Sequence, residues 1–303
     1  MKVHQNIVID DVDYGDTASR KNSKFCNEGK WNNFIEPLLP EGRVFVEFGS
    51  NAGMFLKLAR EKYQRVIGLE RNKNDCKVAE QYLKGSCKII CRQIDENLKD
   101  IPLADVVLMA NFHYHQNIDE FRRLLNVLET RACYVIVVSA LVKVPHWRAQ
   151  PDQDNVKSYF RHWELIKEIP LTTDPSDPHP REMFAMLFKS PKLQRLNADQ
   201  INVRNLVKME GFYLKQFAEL ATKGKGYEKS GHFKVQRTRR KLKWSEERLI
   251  EFIEGKYALI RNVATNGQYE PLILNKDFEL VDGLHRYMAL SANGENDMIV
   301  RIL

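Results

Sequence analysis

The chain has 303 residues, 43% of them hydrophobic and 29% charged, enough apolar material for one large or two medium cores and too much for a disordered polymer. Its net charge of +7 and pI near 9.0 suit a phosphate-bearing partner, nucleic acid included, without naming one. No apolar run approaches the roughly 18–20 residues of a membrane span, and the opening "MKVHQNIVIDDVDYGD" turns acidic too early for a secretory leader, so the cytoplasmic compartment is expected.

Residues 1–39 read as an irregular lead-in with a short helix, "GKWNNFIEPLL", closed by Pro40. "RVFVEFG" is a strand, rich in residues that favour extended backbone, and "AGMFLKLAREKY" has helical apolar spacing. "RVIGLER" (strand), "NDCKVAEQYLK" (helix) and "CKIICRQI" (strand) follow, then "ADVVLMAN", apolar nearly throughout as befits a strand covered on both faces. "IDEFRRLLNVLE" is an amphipathic helix and "ACYVIVVSAL" a fifth strand. Strands alternating with helices predict an α/β fold with a parallel sheet. "NVKSYFRHWELIKEIPL" then passes from helix into strand, and "EMFAMLFKSP" follows across the turn "DPSDPHPR". Strands joined by so short a connection must be antiparallel neighbours.

Past Pro191 the composition shifts. "INVRNLVKMEGFYLKQFAELA" and "SEERLIEFIEGKYALIRNVA" read as helical. The basic stretch "KVQRTRRKLKW", Lys234 to Trp244, lies between them, either as a solvated loop and helix start or as a surface for polyphosphate or nucleic acid. The tail, "YEPLILNKDFELVDGLHRYMALSANGENDMIVRIL", reads strand, turn, strand, short helix, strand. The expected division is 1–39, 40–191 and 192–303. Five cysteines without paired spacing (Cys26, Cys76, Cys87, Cys91, Cys133) read as reduced thiols, and no metal site is expected.

Ligands of an open parallel sheet sit outside the carboxyl ends of its strands, where "VFVEFGSNAGMF" places Glu47 and Gly49. Gly49 and Gly53 permit a tight turn, and the helix expected from about Ala52 would point its positive end there. The loop is E-x-G-x-x-x-G, not the G-x-G-x-x-G of dinucleotide sites. A carboxylate before the first glycine would repel a pyrophosphate and suit a cationic amino group. Glu70 closes the next strand, where a ribose diol can be accepted by both oxygens.

This ordered set resembles the class I S-adenosylmethionine-dependent methyltransferases over about residues 40–190. The resemblance implies a Rossmann-like, seven-stranded sheet ending in an antiparallel hairpin, with S-adenosyl-L-methionine as cofactor. By position, Glu47, Phe48, Gly49, Ser50, Asn51 and Gly53 would form the methionine-end loop. Glu70 would bind the ribose, Arg71 and Asn72 would flank the adenine, and Gln93, Ile94 and Asp95 would contact its ring.

The loop after the fourth strand is Asn111-Phe112-His113-Tyr114-His115, which the resemblance places beside the methyl group, with Asn111 contacting the cofactor. It lacks the prolines of the [DN]-P-P-[YF] loop that clamps a flipped base in DNA amino-methyltransferases. It resembles instead the paired-histidine loops of methyltransferases acting on small molecules and glycans. A hydroxyl acceptor must lose a proton, and a histidine neutral near pH 7 suits that task. His113 and His115 are both candidates, and alternation lets only one face the cofactor. His146, Trp147, Arg148, His162, His179 and Arg181 are candidates for the acceptor pocket.

The tail segment L-V-D-G-L-H-R-Y-x-A-L resembles the ParB/sulfiredoxin-like fold, an α+β domain whose D-G-x-H-R turn binds nucleotide phosphates. The resemblance implies ATP or CTP at Asp282, Gly283, His285 and Arg286, and "INVRNLV" as a first strand. A helix start bearing glycine, histidine and arginine fits an anion. The expected function is thus O-methylation of a small molecule, sugar or phosphorylated glycan, with a nucleotide-binding C-terminal domain. The alternative is nucleic-acid methylation, with the basic domain gripping the polymer.

Overall fold

The computed structural model describes residues 3, 5, 7–14, 25–141, 152–173, 182–203, 208–223, 226, 228, 230–240 and 244–303. The chain divides into two compact units, Met1–Asp100 with Ala104–Pro191, and Ile101–Leu103 with Lys192–Leu303.

The first unit opens with a small hairpin, β1 (Val8–Ile9) and β2 (Val12–Asp13), and a short helix, α1 (Asn27–Lys30), that runs into a π-turn, Trp31–Ile35. The main sheet and its crossovers are β3 (Val44–Phe48), α2 (Met54–Ala59), β4 (Arg65–Glu70), α3 (Lys73–Leu83), β5 (Lys88–Cys91), β6 (Ala104–Ala110), α4 (Ile118–Leu128) and β7 (Ala132–Leu141). Helix α5 (Gln153–Tyr159) leads to the hairpin of β8 (Glu164–Thr173) and β9 (Glu182–Lys189).

The seven strands lie in the order β5-β4-β3-β6-β7-β9-β8. The first five are parallel and the last two antiparallel. The unit is therefore α/β with a mainly parallel sheet, as the alternation and the closing hairpin required. Every residue of β3 is buried, the consequence of helices on both faces. Asp105, buried on β6, accepts from the backbone N–H groups of Arg43 and Val44 at 2.7 and 2.8 Å and so fixes where β3 begins. Asn72 and Asn117 cap α3 and α4 by accepting from the N–H two residues on.

One local expectation changes. The helix after β3 runs only over Met54–Ala59, since Arg60 turns back to donate to the carbonyl of Tyr63. With six residues it offers little dipole, and its start is no anion site of its own. The described residues ahead of β3 pack into this unit. Phe25, Trp31, Phe34, Ile35 and Leu38 sit in the core with Phe45 and Leu56, and Val3 and Ile7 pack on Ala52, Met54 and Val78. Burying that much aromatic surface makes the segment part of the unit.

The second unit has a four-stranded sheet in the order β10-β13-β11-β12: β10 (Gln194–Asn197), β11 (Leu272–Leu274), β12 (Leu280–Asp282) and β13 (Asp297–Ile302). Helices α6 (Lys208–Thr222), α7 (Gly231–Arg240), α8 (Glu246–Asn266) and α9 (Leu284–Ala292) complete it. Phe217, Leu249, Ile253, Ile260, Leu272, Leu274, Met298 and Val300 share its core. The tail has the expected element order. Among the described residues the first strand of this sheet is Gln194–Asn197; of 201–207, Asn202 makes an isolated bridge to Glu279 and residues 204–207 lie outside the described ones. The basic stretch is helical up to Arg240, with residues 241–243 outside the described ones.

Candidate functional site

The carboxyl ends of β3, β4 and β6 open on a cleft of about 620 Å³ lined by Glu47, Gly49, Asn51, Glu70, Arg71, Asn72, Gln93, Ile94, Asn111, Phe112 and His115. Parallel pairing of β3 with β4 and β6 brings strand ends 20 to 60 residues apart in sequence to one edge.

Glu47 is the last residue but one of β3 and is 1% exposed. Its Oε2 has no hydrogen-bond partner. Burial, and then the nearby charge of Glu70, raise its pKa well above the ordinary carboxylate range. A buried, unsatisfied acid is expensive to keep and is commonly retained for a ligand.

The loop after Glu47 has its backbone donors in use. Gly49 N and Ser50 N both donate to Leu69 O, at 2.9 and 3.0 Å. Asn51 N donates to Glu70 Oε2 at 2.9 Å, Gly53 N to Ser50 O at 2.9 Å and Met54 N to Gln5 Oε1 at 3.0 Å. Gly49 takes φ +73°, which a side chain would strain, and a Cβ there would stand 3.4 Å from Phe112. The turn thus brings main chain to the cleft wall without offering the row of free N–H groups that cradles a pyrophosphate.

Glu70 is buried at the end of β4. Its Oε2 accepts from Asn51 N and its Oε1 from Asn72 N at 2.8 Å. Each oxygen keeps a second lone pair, so both can still accept, in a plane already fixed by the main chain. That geometry suits a vicinal diol.

The structure separates the candidates named from sequence. Glu47, Gly49, Asn51, Glu70, Arg71, Gln93, Ile94 and Asn111 line the cleft. Phe48, Ser50, Gly53 and Asp95 are not among its described lining residues. Phe48 and Ser50 are buried. A Cβ on Gly53 would meet Leu83 at 2.8 Å, so that glycine permits helix–helix packing. Asp95 turns outward to accept from Asn97 N and pair with Arg92. Asn111, at φ +56°, uses its Oδ1 to accept from Ala140 N at 3.1 Å, which ties the loop to β7.

His113 and His115 part company. His113 is fully buried, with Nε2 3.4 Å from Ser139 Oγ and its ring beside Phe121. Burial, then the neighbouring His115, push its pKa down to about 3. It is buried and is not among the described residues lining the cleft. His115 is exposed and lines the cleft. His162 is exposed, takes a bond from Arg161 and is not among the described lining residues, while His146, Trp147, Arg148, His179 and Arg181 lie outside the described residues.

Sequence reasoning missed Gln5, Asn27, Lys30, Asp75, Gln116 and Glu120, which also line the cleft. The first three come from the segment before β3 and show no motif. Asp75 and Glu120 carried a signal, being acids in the first turns of α3 and α4 beside the strand ends.

A second cleft, of about 540 Å³, lies in the other unit between α8 and the start of α9, lined by Lys256, Glu270, Asp282, Gly283, His285 and Arg286 among others. Gly283 opens α9 at φ +99°, where a Cβ would sit 2.8 Å from Leu272 and 3.1 Å from Arg286 Nε. Arg286 donates to Asp282 at 2.8 Å. Desolvation, then Lys256 and His232, lower the His285 pKa to about 4. Two cations face two carboxylates, so the lining carries no net positive charge.

No group of His, Cys, Asp and Glu among the described residues is placed to hold a metal ion, and no described helix is long and apolar enough to cross a membrane. No family model and no curated protein matches the chain. It is similar to solved structures. One is TehB from Haemophilus influenzae, 13% identical over 48% of this chain, with a TM-score of 0.40; the match spans 57% of that protein's length. Another is the N-methyltransferase NodS from Bradyrhizobium japonicum WM9 in complex with S-adenosyl-l-homocysteine, 13% identical over 58% of this chain and 93% of that one, with a TM-score of 0.49. A third is a SAM-dependent methyltransferase from Methanosarcina mazei, 13% identical over 52% of this chain and 96% of that one, with a TM-score of 0.38.

Proposed function

We propose that the chain is an S-adenosylmethionine-dependent methyltransferase whose cofactor occupies the cleft at Glu47 and Glu70. One observation carries this reading: a fully buried carboxylate oxygen without a partner, beside a loop whose N–H groups are already engaged. That pair of features favours an ammonium and disfavours a pyrophosphate. Glu47 takes the ammonium, Glu70 takes the ribose hydroxyls in the plane set by Asn51 N and Asn72 N, and Gln93 and Ile94 border the base.

When bound, the cofactor supplies a methyl group made electrophilic by its sulfonium sulfur. Phe112, edge-on to Phe48 at 5.8 Å, is an apolar wall that keeps water from that side of Gly49. His115 accepts the proton that a hydroxyl acceptor loses, and its place on the exposed rim lets the acceptor reach it. The acceptor class that this loop supports is a small molecule, sugar or phosphorylated glycan bearing a hydroxyl, with cytoplasmic action.

The second unit is assigned, on its resemblance to the ParB/sulfiredoxin-like fold, to an ATP- or CTP-binding role at Asp282, Gly283, His285 and Arg286. The left-handed glycine at the start of α9 supports it, and the Asp282–Arg286 pair is what an incoming phosphate must displace. A second reading, nucleic-acid methylation, is favoured by one feature. Trp244, Arg248, Phe252 and Lys256 follow one another at four-residue spacing, with Arg248 4.8 Å over Trp244 and Lys256 5.5 Å over Phe252. A steep fall of polynucleotide affinity with salt would select it.

Calorimetry with S-adenosylhomocysteine, ATP and CTP tests the whole reading. Gly49→Arg should abolish binding of the first and spare the nucleotides, and Arg286→Ala should do the reverse. Loss of all ligands in either variant sinks the two-site division, and a wild type that ignores S-adenosylhomocysteine sinks the methyltransferase.

A further inference from the structure

The amino-acid end of the cofactor proposed above carries a carboxylate as well as an ammonium. On binding, this second charge also needs donors to replace the water it gives up. The glycine loop is the obvious source, since backbone N–H groups commonly hold anions. Here Gly49, Ser50, Asn51, Gly53 and Met54 all spend theirs elsewhere. Ala52 is fully buried and is not among the residues lining the cleft. The donors must therefore be side chains.

Two such side chains reach the cleft from the segment before β3. Gln5 is 7% exposed and lines the cleft. Its amide orientation follows from chemistry: Met54 N–H, at 3.0 Å, needs an oxygen to accept it, so the Gln5 oxygen faces the main chain. The NH2 group is left as the part of this side chain able to donate to a ligand. Lys30 lines the same cleft and is, with Arg71, one of two cationic side chains among its described lining residues. Arg71 follows Glu70 directly, at the ribose end. We infer that Gln5 and Lys30 hold the carboxylate of the cofactor whose ammonium Glu47 holds. The N-terminal segment is then half of the cofactor site rather than packing alone, and the site selects ligands carrying both charges of an amino acid. This rests on the methyltransferase reading.

The test compares three ligands by calorimetry: S-adenosylhomocysteine, its decarboxylated analogue S-adenosyl-3-thiopropylamine, and 5′-methylthioadenosine. Gln5→Glu keeps the acceptor for Met54 N–H and so keeps the segment docked, but it removes the donor and adds a like charge. It should weaken S-adenosylhomocysteine about tenfold or more, the loss expected for a hydrogen bond to a charged group, and leave the decarboxylated analogue at least as tight. Lys30→Met should act in the same sense. An unchanged thermal midpoint in each variant confirms that the fold is intact. The inference is overturned if both variants bind S-adenosylhomocysteine like wild type. It is also overturned if they lose all three ligands equally, which is the mark of a packing role. If wild type binds none of the three, the cofactor reading falls and takes this one with it; if only the variants behave like wild type, the cofactor reading stands alone.

Discussion

The two clefts answer the same electrostatic problem in opposite ways. In the first unit Glu47 is buried with an oxygen that nothing satisfies, and Glu70 is held by main chain yet keeps lone pairs to spare. In the second, Asp282 and Arg286 satisfy each other four residues apart, with the Asp282 side chain 69% exposed. The first arrangement stores unfavourable desolvation energy that a cation would release. The second is close to neutral, and an exposed pair of this kind contributes little to stability. The first cleft thus leaves a buried acid to be satisfied, and the second holds its facing charges already paired.

The largest expected effect tests whether chemistry belongs to the first cleft. With a hydroxyl acceptor that the wild type turns over, His115→Ala should lower kcat by about 100–10,000-fold, the usual range for a lost general base. His113→Ala should leave the pH dependence of kcat unchanged and cost roughly 1–3 kcal/mol of stability, as loss of a buried side chain does. Equal rate losses in both variants would undo the distinction between them.

The next effect concerns Glu47. Its folded-state pKa is raised, so the folded protein holds this proton more tightly than the unfolded chain does. The stability it contributes is present below the ordinary value of 4.5 and is lost as pH rises through the raised one. Glu47→Gln should therefore stabilise the ligand-free protein at neutral and higher pH by about 1–3 kcal/mol, and the gain should vanish in acid. The same change should weaken S-adenosylhomocysteine about 100-fold, within the range for a buried charged hydrogen bond. Cofactor binding to the wild type should release a proton, visible as a buffer-dependent calorimetric enthalpy. A variant that is both less stable and unaffected in binding would show Glu47 to be structural.

The smallest effect belongs to the second cleft. Asp282→Asn should change stability by no more than about 0.5 kcal/mol, because it breaks an exposed i,i+4 pair. It should raise the affinity for ATP or CTP by freeing Arg286. Lower nucleotide affinity would mean that Asp282 contacts the ligand itself.

Much of the first site was legible because it is local. A run such as Val44 to Phe48 can only be a covered strand, and an acid with a glycine two residues on marks its ligand end. Glu47 lies one residue from the end of its strand and Glu70 closes the next, and Asn72 and Asn117 announce the helices that follow. The placement of His113 against His115 was not legible, since both sit in one short turn and only the packing of Phe121 and Ser139 decides which is buried.

The sequence by itself determined the strand–helix alternation, the closing hairpin and the two carboxylates at adjoining strand ends, because period, capping and turn chemistry act over a few residues. Tertiary structure alone decided which backbone donors of the glycine loop are already committed, how short α2 is, and that Gln5 reaches Met54 across 49 residues of chain. Contacts at such separation leave no pattern in either segment, for each is written only in the shape of the other.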